Sequence, residues 1–234
     1  MSRLATAGRG AGGPAPDSTS GGTGGTGGAH GAVSAYKLAS LLLQYPTAAL
    51  LDGLGHLETV ASGMPRRAQR QAFGRFLAWL QATDPGEVAA HYVATFDLRR
   101  RCALYLTYYR YGDTRKRGMA MLAFTAAYRA AGYEPDGGEL PDYLPMVLEF
   151  ASLSPRGEAL LRAHRADLEL VRRALHEAGT PYSALVDAAC AQLPGPGRRD
   201  IPLIRQAWEA GPPREDVGLE PFAPPEYLTR GTRP

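Results

Sequence analysis

The chain has 234 residues, which is enough for one domain of ordinary size with terminal tails. Its 26 basic and 23 acidic side chains leave a formal net charge of +3, too small to attract polyanions or membranes strongly. Cys102 and Cys190 lie far apart and outside any C-x-x-C motif, which favours a reducing compartment over a disulfide framework.

Glycine, serine, threonine, proline and alanine dominate residues 1–31, so we expect a disordered tail there. The tail contains "GTGGTG" at residues 22–27, which matches the dinucleotide pattern G-x-G-x-x-G, but no predicted strand precedes it and we assign it no nucleotide. No apolar run approaches the ~20 residues of a membrane helix, and no export signal is recognisable. We therefore expect a cytoplasmic protein without stable membrane insertion.

Helical periodicity runs through residues 32–193 and predicts one all-α domain, a bundle of about eight helices. The remaining residues, 194–234, are rich in proline and glycine, and we expect them to pack partly on the domain. We find no convincing strand. The predicted helical segments are, in order, 33–46, 47–62, 65–83, 85–98, part of 99–112, 114–132, 140–153, 155–179, 181–193 and, within the C-terminal segment, 200–210.

Several of these segments carry specific expectations. Thr47 is a possible N-cap, and Asp113 or Thr114 can cap the segment 114–132. That segment is apolar on two sides, with Met119, Leu122 and Ala126 on one and Met121, Phe124 and Tyr128 on the other, so we expect it to be the central, most buried helix. We expect Pro145 to interrupt its helix and residues 155–179 to form one long amphipathic helix. The segment 65–83 should bury Phe73, Phe76, Leu77 and Leu80.

The sequence offers little catalytic chemistry. The five histidines stand in separate segments, so no helical metal-binding pair is present, and neither a G-x-S-x-G elbow nor a phosphate-binding loop occurs. Glu139 and Asp142 form a close carboxylate pair. We interpret Asp142, beside Pro141, as a turn or helix-start residue that caps backbone N–H groups. No catalytic residue, metal site or cofactor is predicted.

Residues 99–117 combine tyrosines with seven basic side chains. Three interpretations remain open for this stretch: an aromatic wall that only builds the core, an apolar peptide groove with a charged rim, or a nucleic-acid-binding module in which aromatics stack on bases. Helical spacing places Leu104, Tyr105, Tyr108 and Tyr109 toward one side, which suits a wall better than a stacking platform.

The same region carries a resemblance. The stretch "YVATFDLRRRCALYLTYYRYGDTRKRGMAMLAFTAAYRAAG", followed by "ELPDYLPMVLEFA", resembles the nitrate reductase molybdenum-cofactor assembly chaperones, the NarJ branch of the TorD/DmsD redox-enzyme maturation proteins. The early "YKLASLLLQYP" and the late "GLEPF" are similar to that branch too, so the likeness extends from Tyr36 to Phe222.

The resemblance implies an all-helical cytoplasmic chaperone without enzymatic activity or a cofactor of its own. Its partner would be the apo catalytic subunit of respiratory nitrate reductase, whose N-terminal segment it binds, keeping the subunit competent for cofactor insertion before membrane docking. Such a chaperone does not remain in the mature enzyme, and no nucleic-acid partner is expected.

We expect the client peptide to meet an aromatic wall with an arginine rim and a polar lip, since tyrosine offers a large contact area at small entropic cost. One residue departs from the family pattern, because the loop that often reads E-x-P-D-H has a tyrosine at its last position. A proton-transfer role for an imidazole there cannot be carried over. The predicted client-binding residues are Tyr92, Phe96, Leu104, Tyr105, Tyr108 and Tyr109 in the wall, Arg100, Arg115 and Arg117 on the rim, and Asp142 and Tyr143 at the lip.

Overall fold

The computed structural model describes residues 4–6, 34–112, 114–135 and 138–213. Helices dominate these residues, so the predicted all-α class is confirmed, with twelve α-helices in place of about eight. Within the described ranges, no helix is both long and apolar enough to cross a membrane. The elements are β1 Leu4–Thr6, α1 Ala35–Leu42, α2 Ala48–Asp52, α3 Leu54–Ser62, α4 Arg67–Ala82, α5 Pro85–Phe96, a 3₁₀ turn Arg100–Cys102, α6 Tyr108–Tyr111, α7 Arg115–Ala130, β2 Tyr133–Pro135, α8 Leu144–Leu153, α9 Pro155–Ala163, α10 Arg165–Glu177, α11 Ser183–Cys190 and α12 Asp200–Ala210.

The central helix is α8, and not α7 as the sequence indicates. Seven consecutive residues of α8, 144–150, are buried, and the helix packs between α1 and α9. Along α7, by contrast, only Arg117, Phe124 and Tyr128 are buried, while Met119 is 70% exposed and Leu122 59% exposed. The helix has apolar residues on two sides, but neighbouring elements cover only one of them.

Glycine allows α8 and α9 to approach closely. A Cβ atom added at Gly157 would lie 2.4 Å from the backbone nitrogen of Ala151 and 2.5 Å from the carbonyl carbon of Phe150. Real Cβ contacts are essentially never that short, so any larger residue at this position would push the two helices apart.

Three helix boundaries differ from the prediction. Pro145 lies in the first turn of α8, where its missing N–H costs nothing, and therefore starts the helix instead of interrupting it. The predicted helix 155–179 is divided at His164 into α9 and α10. Residues 103–107 are not helical, because their backbone groups bond to another segment described below.

Two other local expectations, for Thr47 and for α4, are confirmed. The Thr47 side chain accepts a hydrogen bond from the backbone N–H of Leu50 and so caps α2. The predicted apolar face of α4 is buried at Phe73, Phe76, Leu77 and Leu80. Thr114 occupies the N-cap position of α7, but its side chain makes no capping hydrogen bond. Asp113, the other predicted cap, lies outside the described residues.

Described residues near both ends of the chain pack against the central part of the fold. Residues 4–6, within the tail predicted to be disordered, pair antiparallel with β2 as β1, and Leu4 is buried. This is the one strand pair among the described residues, where the sequence predicted none. Helix α12 forms as predicted and packs on α10. The remaining residues of the N-terminal tail, including "GTGGTG", and "GLEPF" near the C-terminus lie outside the described residues.

Candidate functional site

Two segments named by the sequence analysis meet at a short backbone bridge. Tyr105 and Tyr143 form an isolated antiparallel bridge. Beside it the Leu144 N–H donates to the Leu104 carbonyl at 2.7 Å, and the Leu106 N–H donates to the Asp142 carbonyl at 3.0 Å. These bonds use backbone groups that a helix through residues 103–107 would need, so the segment does not form a helix.

Asp142 lies at the centre of this junction and is fully buried. One carboxylate oxygen accepts hydrogen bonds from the Thr107 backbone N–H at 3.1 Å and from its hydroxyl at 2.5 Å. The other faces Nη2 of Arg117 at 3.4 Å. Asp142 therefore accepts from a backbone N–H as expected of its type, but that N–H belongs to Thr107 in another segment and not to its own turn or helix start. Its burial beside Arg117 corrects its predicted place at the lip.

Arg117 is buried as well, which corrects its predicted place on the rim. Its guanidinium carbon lies 5.3 Å from the ring centroids of both Tyr105 and Tyr108. Cation–π contacts at that distance contribute ~0.5–2 kcal/mol each, depending on desolvation. The two tyrosines thus hold the arginine between them while Asp142 neutralises its charge.

The outer parts of these tyrosines are half-buried and bonded to polar neighbours. The Tyr105 hydroxyl donates to Glu139 at 2.8 Å, and burial together with that bond raises the pKa of Tyr105. The Tyr108 hydroxyl accepts from Nε of Arg100 at 3.0 Å, while Nη2 of Arg100 donates to the Pro213 carbonyl at 2.9 Å. The result is an ordered aromatic and basic ledge, formed by Arg100, Tyr105 and Tyr108.

Other members of the predicted wall are core residues. Tyr92 and Phe96 are buried in an aromatic cluster around Tyr182, with ring centroids 5.8 and 4.9 Å from its ring. Burial, and secondarily the neighbouring Tyr143, raises the pKa of Tyr92. Both side chains are buried in this cluster, which corrects their predicted place in the part of the wall that meets the client.

Three more of the predicted client-binding residues are buried and do not form part of the ledge. Leu104 is 3% exposed, Tyr109 2% and Tyr143 6%. Tyr109 faces α12, where its ring stacks on Trp208 with centroids 5.9 Å apart and planes at 7°. The structure therefore divides the predicted site into an exposed or half-exposed set, which is Arg100, Tyr105, Tyr108 and Arg115, and a buried set, which is Tyr92, Phe96, Leu104, Tyr109, Arg117, Asp142 and Tyr143.

A basic cleft, which no sequence pattern predicted, adjoins the ledge at the start of α7. Its volume is about 500 Å³, and its lining consists of Arg110, Tyr111, Thr114, Arg115, Lys116 and Pro213. Pro213 arrives here from the end of α12, which no local sequence pattern could indicate. Arg110 is also tied to the interior, because it donates to the buried Asp167 at 3.0 Å.

Thr107 is the clearest omission of the sequence analysis, since it supplies two of the hydrogen bonds that hold Asp142. A single threonine between Leu106 and Tyr108 carries no motif that would identify it. Among the described residues, no group of three or more His, Cys, Asp or Glu side chains could hold a metal ion.

Comparison with known proteins places these features in a family. Residues 65–187 match the family described as "Nitrate reductase delta subunit", a range that includes every predicted site residue. The nitrate reductase-like protein NarX of Mycobacterium tuberculosis is 42% identical over 161 residues, which cover 66% of this chain and 24% of NarX. The chain thus aligns with about a quarter of that relative's length.

Two further relatives are named as assembly chaperones. The nitrate reductase molybdenum cofactor assembly chaperone NarJ of Escherichia coli is 34% identical over 155 residues, covering 64% of this chain and 65% of NarJ. The probable chaperone of the same name in Bacillus subtilis is 27% identical over 167 residues, covering 70% and 91%. The predicted likeness to the NarJ branch is confirmed, and, because the family match spans more than half of its length, the chain belongs to the nitrate reductase delta subunit family.

Proposed function

We propose that this chain is an assembly chaperone for respiratory nitrate reductase. It binds the N-terminal segment of the apo catalytic subunit and keeps that subunit competent for molybdenum-cofactor insertion before membrane docking. The observation that carries the proposal is its membership of a family whose relatives in E. coli and B. subtilis are named as chaperones for that cofactor's assembly. In this role the chain acts in the cytoplasm, performs no catalysis, needs no cofactor of its own and leaves the mature enzyme.

The ledge supplies surface chemistry suited to a peptide. Tyr105 and Tyr108 present half-buried rings, and Arg100 lies exposed beside them. Aromatic side chains give a helical peptide a large apolar contact, and arginine fixes its direction through carboxylates or the negative end of its dipole. Ordered rings lose little entropy on binding.

The buried set supports the ledge instead of touching the client. Asp142 and Arg117 fix the positions of Tyr105 and Tyr108 from within, so we assign both charged residues as positioning residues. The same contacts weigh against the alternative of a nucleic-acid-binding module, because one side of each ring is already occupied by a guanidinium and is not free to stack on a base.

The direct test is a calorimetric titration of the full chain with the N-terminal peptide of its nitrate reductase catalytic subunit. We expect micromolar or tighter binding, and none for an unrelated single-stranded DNA. The proposal is wrong if the DNA binds and the peptide does not. A protein that makes six to ten phosphate contacts would lose ~10³-fold or more in affinity between 50 and 200 mM salt, whereas a mainly apolar peptide contact would lose less than about tenfold.

A matched pair of variants tests the ledge. Arg100→Glu reverses the charge beside Tyr108 and should weaken the peptide at least fivefold. Arg75→Glu makes the same change on the exposed face of α4 and should leave the affinity unchanged. Equal affinity of both variants would remove the ledge from the binding site.

Copurification separates a chaperone from a permanent subunit. With an affinity tag on this chain, the catalytic subunit should be recovered from cells that cannot make the molybdenum cofactor. It should be absent when the cofactor is supplied and assembly is complete. Recovery of the mature enzyme would show that the chain is a lasting component.

A further inference from the structure

The outward face of α7 is a bare apolar stripe with a cation at each end. Its residues follow one another at four- and three-residue steps, so they share one side of the helix. All are exposed, with Met119 at 70% and Leu122 at 59%. The stripe consists of Arg115, Met119, Leu122, Ala126 and Arg129. Large apolar side chains left in solvent on one helix face are characteristic of a docking surface.

Charge on α7 is one-sided. The helix has three cations in its first turn, Arg115, Lys116 and Arg117, a fourth at Arg129, and no acidic residue. Cations at a helix N-terminus are unfavourable, because the helix dipole is positive there. Arg117 turns inward to Asp142, but Arg115 and Lys116 are exposed and form no ion pair with any described residue. With Arg110 they line the basic cleft.

The geometry points to one occupant, and this inference rests on the proposed function. We propose that the outward face of α7 binds the client's N-terminal segment as an amphipathic helix, antiparallel to α7, with acidic residues at its C-terminal end. The client's apolar side chains cover Met119, Leu122 and Ala126. Its carboxylates and the negative end of its dipole lie against Arg115 and Lys116, whose charge no acidic side chain among the described residues compensates.

The dimensions fix the size of that segment. Arg115 and Arg129 are fourteen residues apart along the helix, which at 1.5 Å per residue is about 21 Å. A client helix of about fourteen residues, or four turns, covers this length. Gly118, which has no side chain, and the small Ala123 and Ala126 are exposed along the way, so the two helix axes can approach closely.

A second copy of this chain fits the same face poorly. In an antiparallel pair of α7 helices, Arg115 of one copy would face Arg129 of the other. In a parallel pair, Arg115 would face Arg115. Both arrangements oppose like charges across the contact, and α7 itself has no acidic residue that could face the cations of the other copy.

Synthetic peptides test the chemistry directly. The probes are a sixteen-residue amphipathic peptide of leucine, alanine and glutamate with its glutamates concentrated toward the C-terminus, the same peptide with lysine for glutamate, and an acidic peptide of the same composition in scrambled order. Fluorescence anisotropy with the full chain should show micromolar binding for the first and at least tenfold weaker binding for the other two. Equal binding of all three would overturn the proposal.

Variants locate the contact. Leu122→Asp on α7 should weaken the acidic peptide at least tenfold, while Ile201→Asp, at an equally exposed position of α12, should not. The double variant Arg115→Glu/Lys116→Glu should have a similar effect. Its control is Arg67→Glu/Arg75→Glu on the exposed face of α4. Circular dichroism melting confirms that each variant remains folded, and unchanged affinity in both α7 variants refutes the site.

The catalytic subunit's own N-terminal peptide, titrated in parallel, separates the two proposals. If it binds and both α7 variants leave its affinity unchanged, the chaperone function stands and the α7 site is wrong. If the acidic peptide binds through α7 and the subunit's peptide does not bind at all, this surface is a docking face for acidic helices while the proposed client is wrong, which also overturns the inference as stated.

Discussion

Replacing Asp142 by asparagine tests whether the buried pair with Arg117 organises the ledge. The substitution keeps the size of the side chain and one acceptor oxygen, which can still receive a hydrogen bond from Thr107, but it removes the negative charge 3.4 Å from Nη2 of Arg117. Removing one partner of a buried ion pair typically costs 3–5 kcal/mol. Because an acceptor for Thr107 remains, we expect the lower end of that range, about 3 kcal/mol.

The reciprocal change should cost less. Arg117→Met removes the charge and the two cation–π contacts, but it leaves Asp142 with both hydrogen bonds from Thr107. We expect a loss of about 2 kcal/mol, since a carboxylate that keeps its donors is still partly compensated. The double variant should be more stable than the sum of the two losses predicts, by at least ~1 kcal/mol, because the second change no longer breaks a pair.

Urea unfolding followed by far-ultraviolet circular dichroism measures all four proteins of this double-mutant cycle. The exposed pair Glu158 and Arg162 on α9 provides the control, with substitutions Glu158→Gln and Arg162→Met and an expected coupling of only ~0.3–0.5 kcal/mol. If the stability losses of the Asp142 and Arg117 single variants add up, to within ~0.5 kcal/mol, to the loss of the double variant, the pair does not act as a unit. Its role in positioning the ledge is then refuted.

Three further predictions concern packing and charge elsewhere in the fold. Gly157→Ala should lower the free energy of unfolding in urea by at least ~2 kcal/mol, because the added methyl group clashes with the α8 backbone. Its control, Gly74→Ala on α4, has open space around the added methyl group and should stabilise the protein slightly. Burial alone would raise the pKa of Glu169, but hydrogen bonds from Arg172 and its neighbours lower that pKa to about 2. The ionised carboxylate therefore stabilises the fold fully above pH ~5, and this contribution is lost as the pH falls toward 2. Urea unfolding at several pH values should show that the free energy of unfolding exceeds that of a Glu169→Gln variant by ~3 kcal/mol above pH ~5. Trp208→Ala removes the ring stacked on Tyr109 and should speed amide hydrogen exchange across α12 at least tenfold, with little change in α4.

Periodicity predicted burial well wherever a helix has one apolar and one polar face. Helix α4 is such a case, with Phe73 and Phe76 buried and its arginines toward solvent. It failed for α7, because apolar residues on two sides of a helix do not indicate which side the neighbouring helices will cover. It also missed the break at His164, since the apolar spacing from Leu161 through His164 to Leu168 continues unchanged across the boundary between α9 and α10.

The candidate site could be predicted as a set of residues but not as a surface. The segments containing Tyr105 and Tyr143 do meet, in agreement with their assignment to one predicted site. The sequence does not show which of these side chains face solvent. Tyrosine and arginine each combine an apolar body with a polar end and are stable both in the core and at the surface. Arg117 and Arg115 illustrate this: two positions apart on one helix, the first is buried against Asp142 and the second is exposed.

Tyr143 shows how the family departure is accommodated. Its ring lies 5.5 Å from that of Tyr105 on the ledge, and its hydroxyl interacts with Tyr92 in the aromatic cluster around Tyr182. A phenol at this position therefore bridges two packed groups of aromatic residues, where a protonated imidazole would pay a desolvation cost. The tyrosine is held too deeply to exchange protons with a client. We expect it to affect client binding only indirectly, because its ring packs against Tyr105, which in turn contacts the guanidinium that pairs with Asp142.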